Sequence, residues 1–480
     1  MTTLRSRPSS AKEDSPDSQR ATSTGKSPVA GMLDGPVLRP LIALALPTMT
    51  VILAQIGVGV AEVFYIGRLG TDALAGASLV FPFYMLMTTM SAGGLGSGVS
   101  SAVARAIGSG RLHDVQRIFA HAVVAALAVG LCFSTIMLLA GPTIYRSLGG
   151  EGKALAAALS YSNIIFAGVA FLWVSNLLGA AFRGSGNAML PARISLIGAA
   201  FMIPASPALI FGFGPIPAMG IAGAGTAVVI YQAGATLALL RAWLQSRAAS
   251  GGAKFRPDKT IFSDIFGVGI PSSLNALQAS LMSVALTGLA ARFGVGALAA
   301  YGIASRLDSM MVPVLFGLAS AVLTMVGMNA GAGNIERANR IAWTGAAVGM
   351  VLTGLPGIFF AIWPHIWLGL FSSDLQVLAE GKAYLHITGP FYPVMAIAFI
   401  LSFAAQGAGH SFWPAMGVTA RLICAAGVGW IAVDRLGQGF AALGVATALG
   451  IVVYAGICIA AVQSGAVWRQ PEGKSGRARS

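Results

Sequence analysis

The sequence predicts an all-α integral membrane protein with about twelve transmembrane helices in two similar six-helix bundles. The first observation behind this prediction is composition, because 56% of the 480 residues are hydrophobic and only 10% are charged. A soluble globular protein needs more polar surface than this. The second is that apolar stretches of about 20 to 30 residues recur along nearly the whole chain, each long enough to cross the hydrocarbon core of a bilayer. The third is an internal repeat that relates the two halves.

The predicted elements follow one another in a simple order. Residues 1–36 are rich in Ser, Thr, Pro and mixed charge, with no apolar stretch that can act as a signal peptide, which predicts a disordered cytoplasmic tail. An N-terminal lobe over 37–245, a basic cytoplasmic linker over 246–260, a C-terminal lobe over 261–466 and a cytoplasmic tail over 467–480 follow. The apolar spans lie near 38–66, 73–104, 115–140, 155–181, 190–212 and 219–245, and then near 261–291, 296–328, 338–363, 380–405, 411–433 and 440–466.

Lysine and arginine are distributed unevenly between the two sides of the predicted membrane. Cytoplasmic loops retain positive charge, and an even number of spans places both chain ends on one side. With both ends in the cytoplasm, most basic residues, among them Arg105, Arg183 and Arg421, are assigned to inner segments and few to outer loops. Contact with anionic lipid headgroups then explains the formal net charge of +14, so that no nucleic-acid partner is expected.

The internal repeat appears when the sequence is shifted against itself by about 223 residues. Pro47 in the first span matches Pro271 in the seventh, and RLGTDALAG from Arg68 matches RFGVGALAA from Arg292. Two further pairs are IGSGRLHDVQRI from Ile107 with AGAGNIERANRI from Ala330, and RGSGNAMLP from Arg183 with QGAGHSFWP from Gln406. Six helices repeated in the same orientation imply two lobes related by an axis along the membrane normal, an arrangement that suits alternating access.

These landmarks carry a resemblance to a known family. The ALP of the first span, the acid in VAEVFYIGRLGTDALAG from Val60, the RAIGSGR and RGSGNAMLP loops and the repeat resemble the multidrug and toxic compound extrusion (MATE) transporters of the MOP flippase superfamily. The resemblance covers nearly the whole chain. It implies a V-shaped pair of six-helix bundles in the bacterial cytoplasmic (inner) membrane, acting as a monomer without a cofactor. It also implies antiport, in which organic, often cationic compounds leave the cell in exchange for protons or sodium ions.

Acidic residues inside the spans are the main functional candidates, because an ionisable group in hydrocarbon is costly and usually functional. Almost all acids lie in tails or loops, and the exceptions are Glu62, in the outer half of the first span, and Asp308, in the eighth. Removing a carboxylate from water disfavours its charged form, so it can exchange a proton near neutral pH, and when charged it can hold a sodium ion or an organic cation. Both residues are therefore predicted to couple ions or bind cations.

Glu62 also has a simpler interpretation, in which it reaches the outer interface or pairs near a helix end. The family resemblance favours a coupling role, because MATE proteins usually carry an aspartate at this position of the first helix. Pro47 lies about four turns earlier in the same span and removes a backbone hydrogen bond, which can let the helix bend when Glu62 changes protonation. A static kink is the alternative.

Asp308 has two interpretations as well. The segment IASRLDSMMVP resembles one in which relatives often carry an acid, which favours a second ion or substrate site in the C-terminal lobe. The alternative is a structural ion pair. Arg306 is near in sequence and is a candidate for a polar network, but residues two apart on a helix point to different faces, so a partner of Asp308 would come from another helix.

The chain also departs from the family pattern. One branch of the family carries an Asp-Pro pair in the fifth span, where this chain has Ser206 followed by Pro207. Another branch has acids in the seventh and tenth helices that are absent here. Asn275 and Gln278 in the seventh span and Gln55 in the first are candidates for a polar cavity, with hydrogen bonding between helices as the alternative. Tyr84 is a candidate for stacking on a flat cationic substrate, with interfacial anchoring as the alternative.

Two rival functions follow from the same residues. A lipid-linked oligosaccharide flippase of the same superfamily would have the same lobed architecture. Flippases of that kind, however, have fourteen helices and basic cavities, unlike the twelve spans and embedded acids predicted here. A membrane enzyme needs a nucleophile with a base, or converging metal ligands, and the five histidines are scattered while the three cysteines lie inside predicted spans. The protein is therefore predicted to be neither an enzyme nor a metalloprotein. A channel fits the hydropathy, although the two-lobe repeat favours alternating access.

Overall fold

The structure of the protein is a computed structural model that describes residues 28–215, 217–249 and 256–469. Most of the two predicted tails and the middle of the predicted linker lie outside these residues. Every regular element in the described part of the chain is a helix, which confirms the all-α prediction.

The N-terminal lobe holds six spans built from eight helices. They are α2 (Leu38–Gly67), α3 (Thr71–Thr89), α4 (Gly96–Gly108), α5 (Leu112–Ser147), α6 (Gly152–Ala167), α7 (Val169–Gly184), α8 (Met189–Phe211) and α9 (Ile221–Ala249), preceded by the short α1 (Pro28–Leu33). A π-helical segment over Met90–Leu95 joins α3 to α4 within one span, and α6 and α7 form one span bent by 48°.

The C-terminal lobe repeats this arrangement. Its helices are α10 (Lys259–Ala291), α11 (Val295–Gly331), α12 (Ile335–Ile362), α13 (Pro364–Leu368), α14 (Leu375–Thr388), α15 (Tyr392–Ala408), α16 (Phe412–Leu422) and α17 (Ala441–Gln463). A 3-10 turn joins α14 to α15, and two π-helical segments over Ile423–Val428 and Ile431–Arg435 continue α16. In the described residues, eleven segments are long and apolar enough to cross a bilayer, and the bent pair makes twelve, as predicted.

The repeat seen in the sequence is also present in the helix boundaries. Helices α12, α14, α15 and α16 begin 223 residues after α5, α6, α7 and α8, respectively. Both lobes break their fourth span at the equivalent place, at Gly168 in one and over Gly389–Phe391 in the other. The turns before α3 and α11 both use a glycine with positive φ, Gly70 at 109° and Gly294 at 96°, where a side chain would be strained. The two lobes therefore share one architecture.

The second span of the N-terminal lobe holds one residue more than its counterpart. Gly70 precedes its equivalent Gly294 by 224 residues, whereas Gly108, at the other end of the span, precedes Gly331 by 223. The counterpart, α11, is an uninterrupted α-helix, and the π-helical segment over Met90–Leu95 interrupts the N-terminal span. A π-bulge accommodates a single inserted residue in a helix. The insertion is therefore absorbed between α3 and α4.

The two lobes meet closely where α4 and α11 end, and this end of the bundle is called the closed end below. A Cβ added at Gly108 would overlap the carbonyl oxygen of Met328, and one added at Gly331 would overlap that of Arg105. Equivalent glycines of the repeat thus let the two backbones approach each other from both sides. These contacts hold the lobes together at one end of the spans.

Hydrogen bonds across the two lobes lie at the same end. The Ser101 hydroxyl donates to the carbonyl oxygen of Gly407 at 3.0 Å. The Thr324 hydroxyl donates to the carbonyl oxygen of Arg183 at 3.3 Å. Side chains from either lobe therefore bind the backbone of the other, and separation of the lobes here requires these bonds to break.

Helix α1 is a difference from the sequence prediction, because residues 28–33 belong to the segment 1–36 for which disorder was expected. The Asn329 amide donates to the carbonyl oxygen of Met32 at 3.1 Å, and Arg337 donates to that of Gly35 at 2.7 Å. These polar side chains of the C-terminal lobe bind carbonyl groups that a free tail would leave to water. The segment is ordered by tertiary contacts, which its composition does not reveal.

The end of the predicted linker, 246–260, is bound to the N-terminal lobe. The Asp258 backbone N–H donates to Nε2 of His121 at 2.9 Å, and its carboxylate pairs with Arg117 at 2.8 Å. The carboxylate also caps α10 by accepting from the backbone N–H of Thr260. Hydrogen bonds from the side chain and backbone of Thr260, with the Arg117 interaction, lower the pKa of Asp258 to about 2. Helices α9 and α10 also extend into the predicted linker from both sides.

Candidate functional site

A cavity of about 430 Å³ lies inside the N-terminal lobe. Helices from five of the six spans bound it, namely α2, α3, α6, α7, α8 and α9. Its size falls in the range of small-molecule sites, which are usually concave and mostly apolar. Its polar lining includes Gln55, Glu62, Tyr84, Tyr161, Asn176, Tyr231 and Gln232.

Glu62 is the charged side chain of this cavity. The Tyr161 hydroxyl donates a hydrogen bond to its Oε1 at 3.1 Å. Among the described residues that line the cavity there is no lysine, arginine or histidine, so the lining supplies no positive charge to balance a Glu62 carboxylate. A carboxylate with a single neutral donor and open space beside it is able to bind a cation or a proton.

Tyrosines from three helices surround the space next to Glu62. Tyr84 comes from α3, Tyr161 from α6 and Tyr231 from α9. An aromatic face attracts a cation through its quadrupole, and it also supplies apolar area to a flat organic molecule. The cavity therefore combines one acid with several aromatic faces.

Two amides of the cavity are held in place by neighbouring serines. The Ser175 hydroxyl donates to Oε1 of Gln232 at 3.0 Å, and the Asn176 amide donates to the Ser91 hydroxyl at 2.7 Å. These bonds fix the orientation of both amides inside the helix bundle. The polar part of the lining is therefore preorganised.

The structure brings together three of the sequence candidates in this cavity, Gln55, Glu62 and Tyr84. Sequence reasoning missed Tyr161 and Asn176, although both are polar side chains inside an apolar span. That signal was available, but the partnership with Glu62 joins residues 99 positions apart, which no local spacing reveals. The cavity is a property of five spans packed together.

Pro47 lies in α2 on the same helix as Glu62. The helix is continuous from Leu38 to Gly67, and the proline is buried. It lies in the half of α2 nearest the closed end. The proposed bending at this residue stays a prediction.

Asp308 lies in a different environment, in α11 of the C-terminal lobe. Its carboxylate is next to Tyr392 and within electrostatic range of Arg421. Tyr301 and Tyr384 lie within electrostatic range of the same carboxylate. Its Oδ1 atom is buried with no hydrogen-bond partner among the described residues. These five residues are called the Asp308 cluster.

The position of Arg421 differs from the sequence prediction, which assigned this residue to an inner segment. The structure places it in the last turn of α16, inside a span that continues to Arg435. Its side chain is half-buried, and its Nε is enclosed without a hydrogen-bond partner in the described residues. A count of the basic residues in loops does not reveal an arginine that lies inside a span and packs against another helix. Arg421 thus supplies a positive charge from another helix within electrostatic range of Asp308, although the two side chains form no direct ion pair in the described part of the chain.

The other candidates in the C-terminal lobe do not line the cavity. Gln278 donates to the Thr419 hydroxyl at 2.7 Å and so links α10 to α16. Asn275 has a buried Oδ1 without a partner among the described residues. Arg306 is exposed, and its guanidinium lies 5.4 Å from the centroid of the Phe371 ring. The structure therefore does not bring these three residues to Glu62.

The repeat relates the two acidic regions to each other. An offset of 223 residues relates Tyr161 of the cavity to Tyr384 of the Asp308 cluster. Tyr84 lies before the inserted residue, so the offset of 224 applies to it and relates it to Asp308. The position equivalent to Glu62 holds a leucine. The lobes thus keep an aromatic position in common but carry their acid on different helices.

Comparisons with known proteins agree with this architecture. The MatE family profile matches residues 47–208 and 271–431. An FAD transporter from Shewanella oneidensis is 27% identical over 379 residues, which are 78% of this chain and 83% of that protein. The multidrug export protein MepA from Staphylococcus aureus is 25% identical over 379 residues, 78% of this chain and 82% of that protein.

A solved structure is similar over almost the full length. A multidrug resistance MATE family transporter of the MOP superfamily, in an outward-facing conformation, superposes with a TM-score of 0.84 at 23% sequence identity. The match covers 93% of this chain and 100% of that one. This likeness establishes the two-lobed fold.

Proposed function

Because this chain belongs to the MatE family of MATE multidrug efflux transporters, we propose that it is a secondary antiporter that exports organic cations in exchange for protons or sodium ions. The observation that supports this most directly is Glu62, the one charged side chain among the described residues that line the cavity. It is the position where the sequence resemblance implies a coupling acid. We further propose that the protein acts as a monomer in the cytoplasmic membrane of a bacterium.

Coupling follows if the ion and the substrate compete for Glu62. When the carboxylate is charged it attracts an organic cation, and when it carries a proton or a sodium ion that attraction is lost. A ligand that binds one conformation better shifts the population toward it. Entry of the ion from outside then favours release of the substrate, and the ion gradient drives export.

The lining of the cavity favours cations over anions. One carboxylate, three tyrosine rings and the absence of a basic side chain among its described lining residues make the space electronegative. A volume of about 430 Å³ accommodates a drug-sized aromatic molecule. Most of the lining is apolar and few polar groups are present, so many amphipathic cations can share the site.

The closed end is proposed to face the cytoplasm. Both described chain ends lie there, and the predicted charge distribution places both termini inside. The cavity would then face outward, as in the outward-facing conformation of the similar transporter. Substrate entry from the cytoplasm requires the seam between α4 and α11 to open.

A flavin dinucleotide is the second candidate substrate, because the Shewanella oneidensis relative is an FAD transporter. The flavin ring would stack on tyrosines, but its pyrophosphate would meet Glu62 without a basic side chain in the described lining. The same argument applies to a lipid-linked pyrophosphate substrate of a flippase. Organic cations are therefore the substrates to test first.

The test is ethidium transport by purified protein in proteoliposomes, with a proton gradient or a sodium gradient imposed separately. We expect wild type to respond to one of the two gradients. Glu62→Gln preserves shape and hydrogen-bonding capacity but removes the charge, so gradient-driven transport should fall at least about tenfold, which corresponds to about 1.4 kcal/mol. Parallel assays with FAD use the same vesicles.

The matched control is Glu151→Gln, an exposed glutamate at the start of α6 that does not line the cavity. It should transport ethidium as wild type does. Wild-type activity in Glu62→Gln would refute the role of Glu62. Transport of FAD but of no cationic dye would replace the proposed substrate class.

A further inference from the structure

A second, much smaller pocket lies at the seam between the two lobes. Ala92 lines both this pocket and the large cavity, so the two spaces adjoin. Ser97 and Ser100 of α4 and Arg183 of α7 line it from the N-terminal lobe. Ser320 of α11 lines it from the C-terminal lobe, together with Phe316, Leu323 and Phe403. It is called the seam pocket below.

Arg183 carries a charge that nothing in the described structure balances. Its guanidinium forms no ion pair and no hydrogen bond with any residue of the described part of the chain, and its side chain is half-buried. The position equivalent to it in the repeat is Gln406, which is neutral. An arginine within a membrane-spanning bundle is costly unless a partner or water satisfies it. The observed environment therefore lacks a counter-charge.

A serine hydroxyl beside Arg183 is also without a partner. Ser100 is only 4% exposed, and its Oγ has no hydrogen-bond partner among the described residues. Ser320 faces the same pocket from the other lobe and is 8% exposed. A buried hydroxyl normally has a partner, because leaving it unsatisfied is unfavourable. The Arg183 guanidinium and the Ser100 hydroxyl are both hydrogen-bond donors without an acceptor among the described residues, and Ser320 offers a further hydroxyl on the other side of the pocket.

We propose that the seam pocket binds one small inorganic anion such as chloride, held between the guanidinium of Arg183 and the hydroxyls of Ser100 and Ser320. The free space is about 10 Å³, which is room for one water-sized particle, so a single-atom anion such as chloride fits once the lining side chains move slightly apart. A phosphate or carboxylate group is too large for it. The aromatic rings of Phe316 and Phe403 shield the site from bulk water on one side.

The anion would join the lobes, since Arg183 and Ser100 belong to one lobe and Ser320 to the other. A ligand that contacts both lobes binds only while the seam is closed, and it therefore stabilises the closed end. Opening of the seam to the cytoplasm releases the ion. This inference concerns the seam alone and does not depend on which substrate the large cavity exports.

The test is thermal unfolding of the purified full-length protein in sodium chloride and in sodium gluconate at equal ionic strength. Gluconate does not fit the seam pocket, so the comparison isolates a specific chloride effect from screening. We expect the Tm of wild type to rise with chloride concentration and to saturate, as it does for a ligand that binds only the folded state. Arg183→Gln should lose this rise, and Arg193→Gln, at an exposed arginine on α8, should keep it.

Two further measurements test anion binding even if Arg183→Gln does not fold. If Arg183→Gln does not fold, the double variant Ser100→Ala and Ser320→Ala should lose the chloride-dependent rise in Tm. Crystals soaked in bromide should show an anomalous peak beside Arg183. Equal Tm values of wild type in chloride and gluconate, or a seam occupied by water alone in bromide, would overturn the proposal.

Discussion

Glu62 and Asp308 are both acids inside apolar helices, yet their surroundings differ in the two respects that decide what an acid can do. Glu62 borders a cavity of about 430 Å³ and has no basic neighbour among the described lining residues. Asp308 lies within range of Arg421 and is packed among tyrosines. An acid that borders a cavity without a counter-charge can exchange ligands, whereas removing the counter-charge from a buried acid is strongly destabilising. Transport should therefore depend on the first and stability on the second.

The largest effect is expected for Arg421→Gln, which tests the difference between the surroundings of Glu62 and Asp308 most directly. Removing the guanidinium leaves the Asp308 carboxylate enclosed without an opposite charge, and the protein should lose up to about 3 kcal/mol of stability. The measurement is Tm in detergent. The double variant with Asp308→Asn should recover part of the loss, because the unbalanced charge is then gone.

A control for this prediction is Arg340→Gln, whose side chain is 65% exposed and, within the described residues, pairs only with Glu336 on the same helix. Its effect on Tm should be within error, since exposed ion pairs contribute little. An Arg421→Gln protein that melts like wild type would show that the Asp308 cluster is not a stabilising one.

The second prediction compares the closed end with the cavity through two glycines. Gly331→Ala places a Cβ against the carbonyl oxygen of Arg105, so the seam must shift at a cost of about 1 to 3 kcal/mol. Gly59→Ala places its Cβ in open space beside the cavity and should be neutral or slightly stabilising. Melting temperatures of both variants provide the measurement. Equal behaviour would mean that the crossing of α4 and α11 is not tight.

The third prediction uses tyrosines that the repeat makes equivalent. Tyr161→Phe removes the hydroxyl that donates to Glu62, a charge-assisted bond contributing about 1.5 kcal/mol, so ethidium transport should change by about tenfold. Tyr384→Phe removes a hydroxyl within electrostatic range of Asp308 and should lower Tm without changing transport. The opposite pattern would place the coupling acid in the C-terminal lobe.

The smallest effect is expected at Asp258, in the linker that joins the N-terminal lobe to α10. Asp258→Asn weakens the cap of α10 and the pair with Arg117, at a cost of about 1 kcal/mol at neutral pH. Because the folded pKa of Asp258 is lowered to about 2, below the usual value, its stabilising effect is present above about pH 4 and lost as pH falls toward 2. The Tm difference from wild type should be constant from pH 8 to 5 and shrink below pH 4.

Asp374→Asn is the control for this pH dependence, since Asp374 caps α14 in the same manner but has no ion pair among the described residues. Its Tm difference should lack the contribution of the pair. A difference for Asp258→Asn that stays constant down to pH 3 would contradict the assignment.

The sequence predicted the spans, the repeat and the resemblance because each depends on composition or on local spacing. It also placed Glu62, Gln55 and Tyr84 among the candidates, since polar side chains in apolar spans are visible without a structure. It did not predict that Tyr161 would bond Glu62 or that Arg421 would lie within electrostatic range of Asp308. Both interactions join distant helices, and their geometry depends on how the spans pack.

The inserted residue between α3 and α4 lies between two parts of the second span that have different roles. The π-helical segment over Met90–Leu95 takes up this extra residue locally, at a wider turn of the helix. Tyr84 and Phe81 lie on the N-terminal side of that segment, and both line the cavity. The π-helical segment therefore divides the second span into a part that lines the cavity and a part that crosses α11 closely at Gly108.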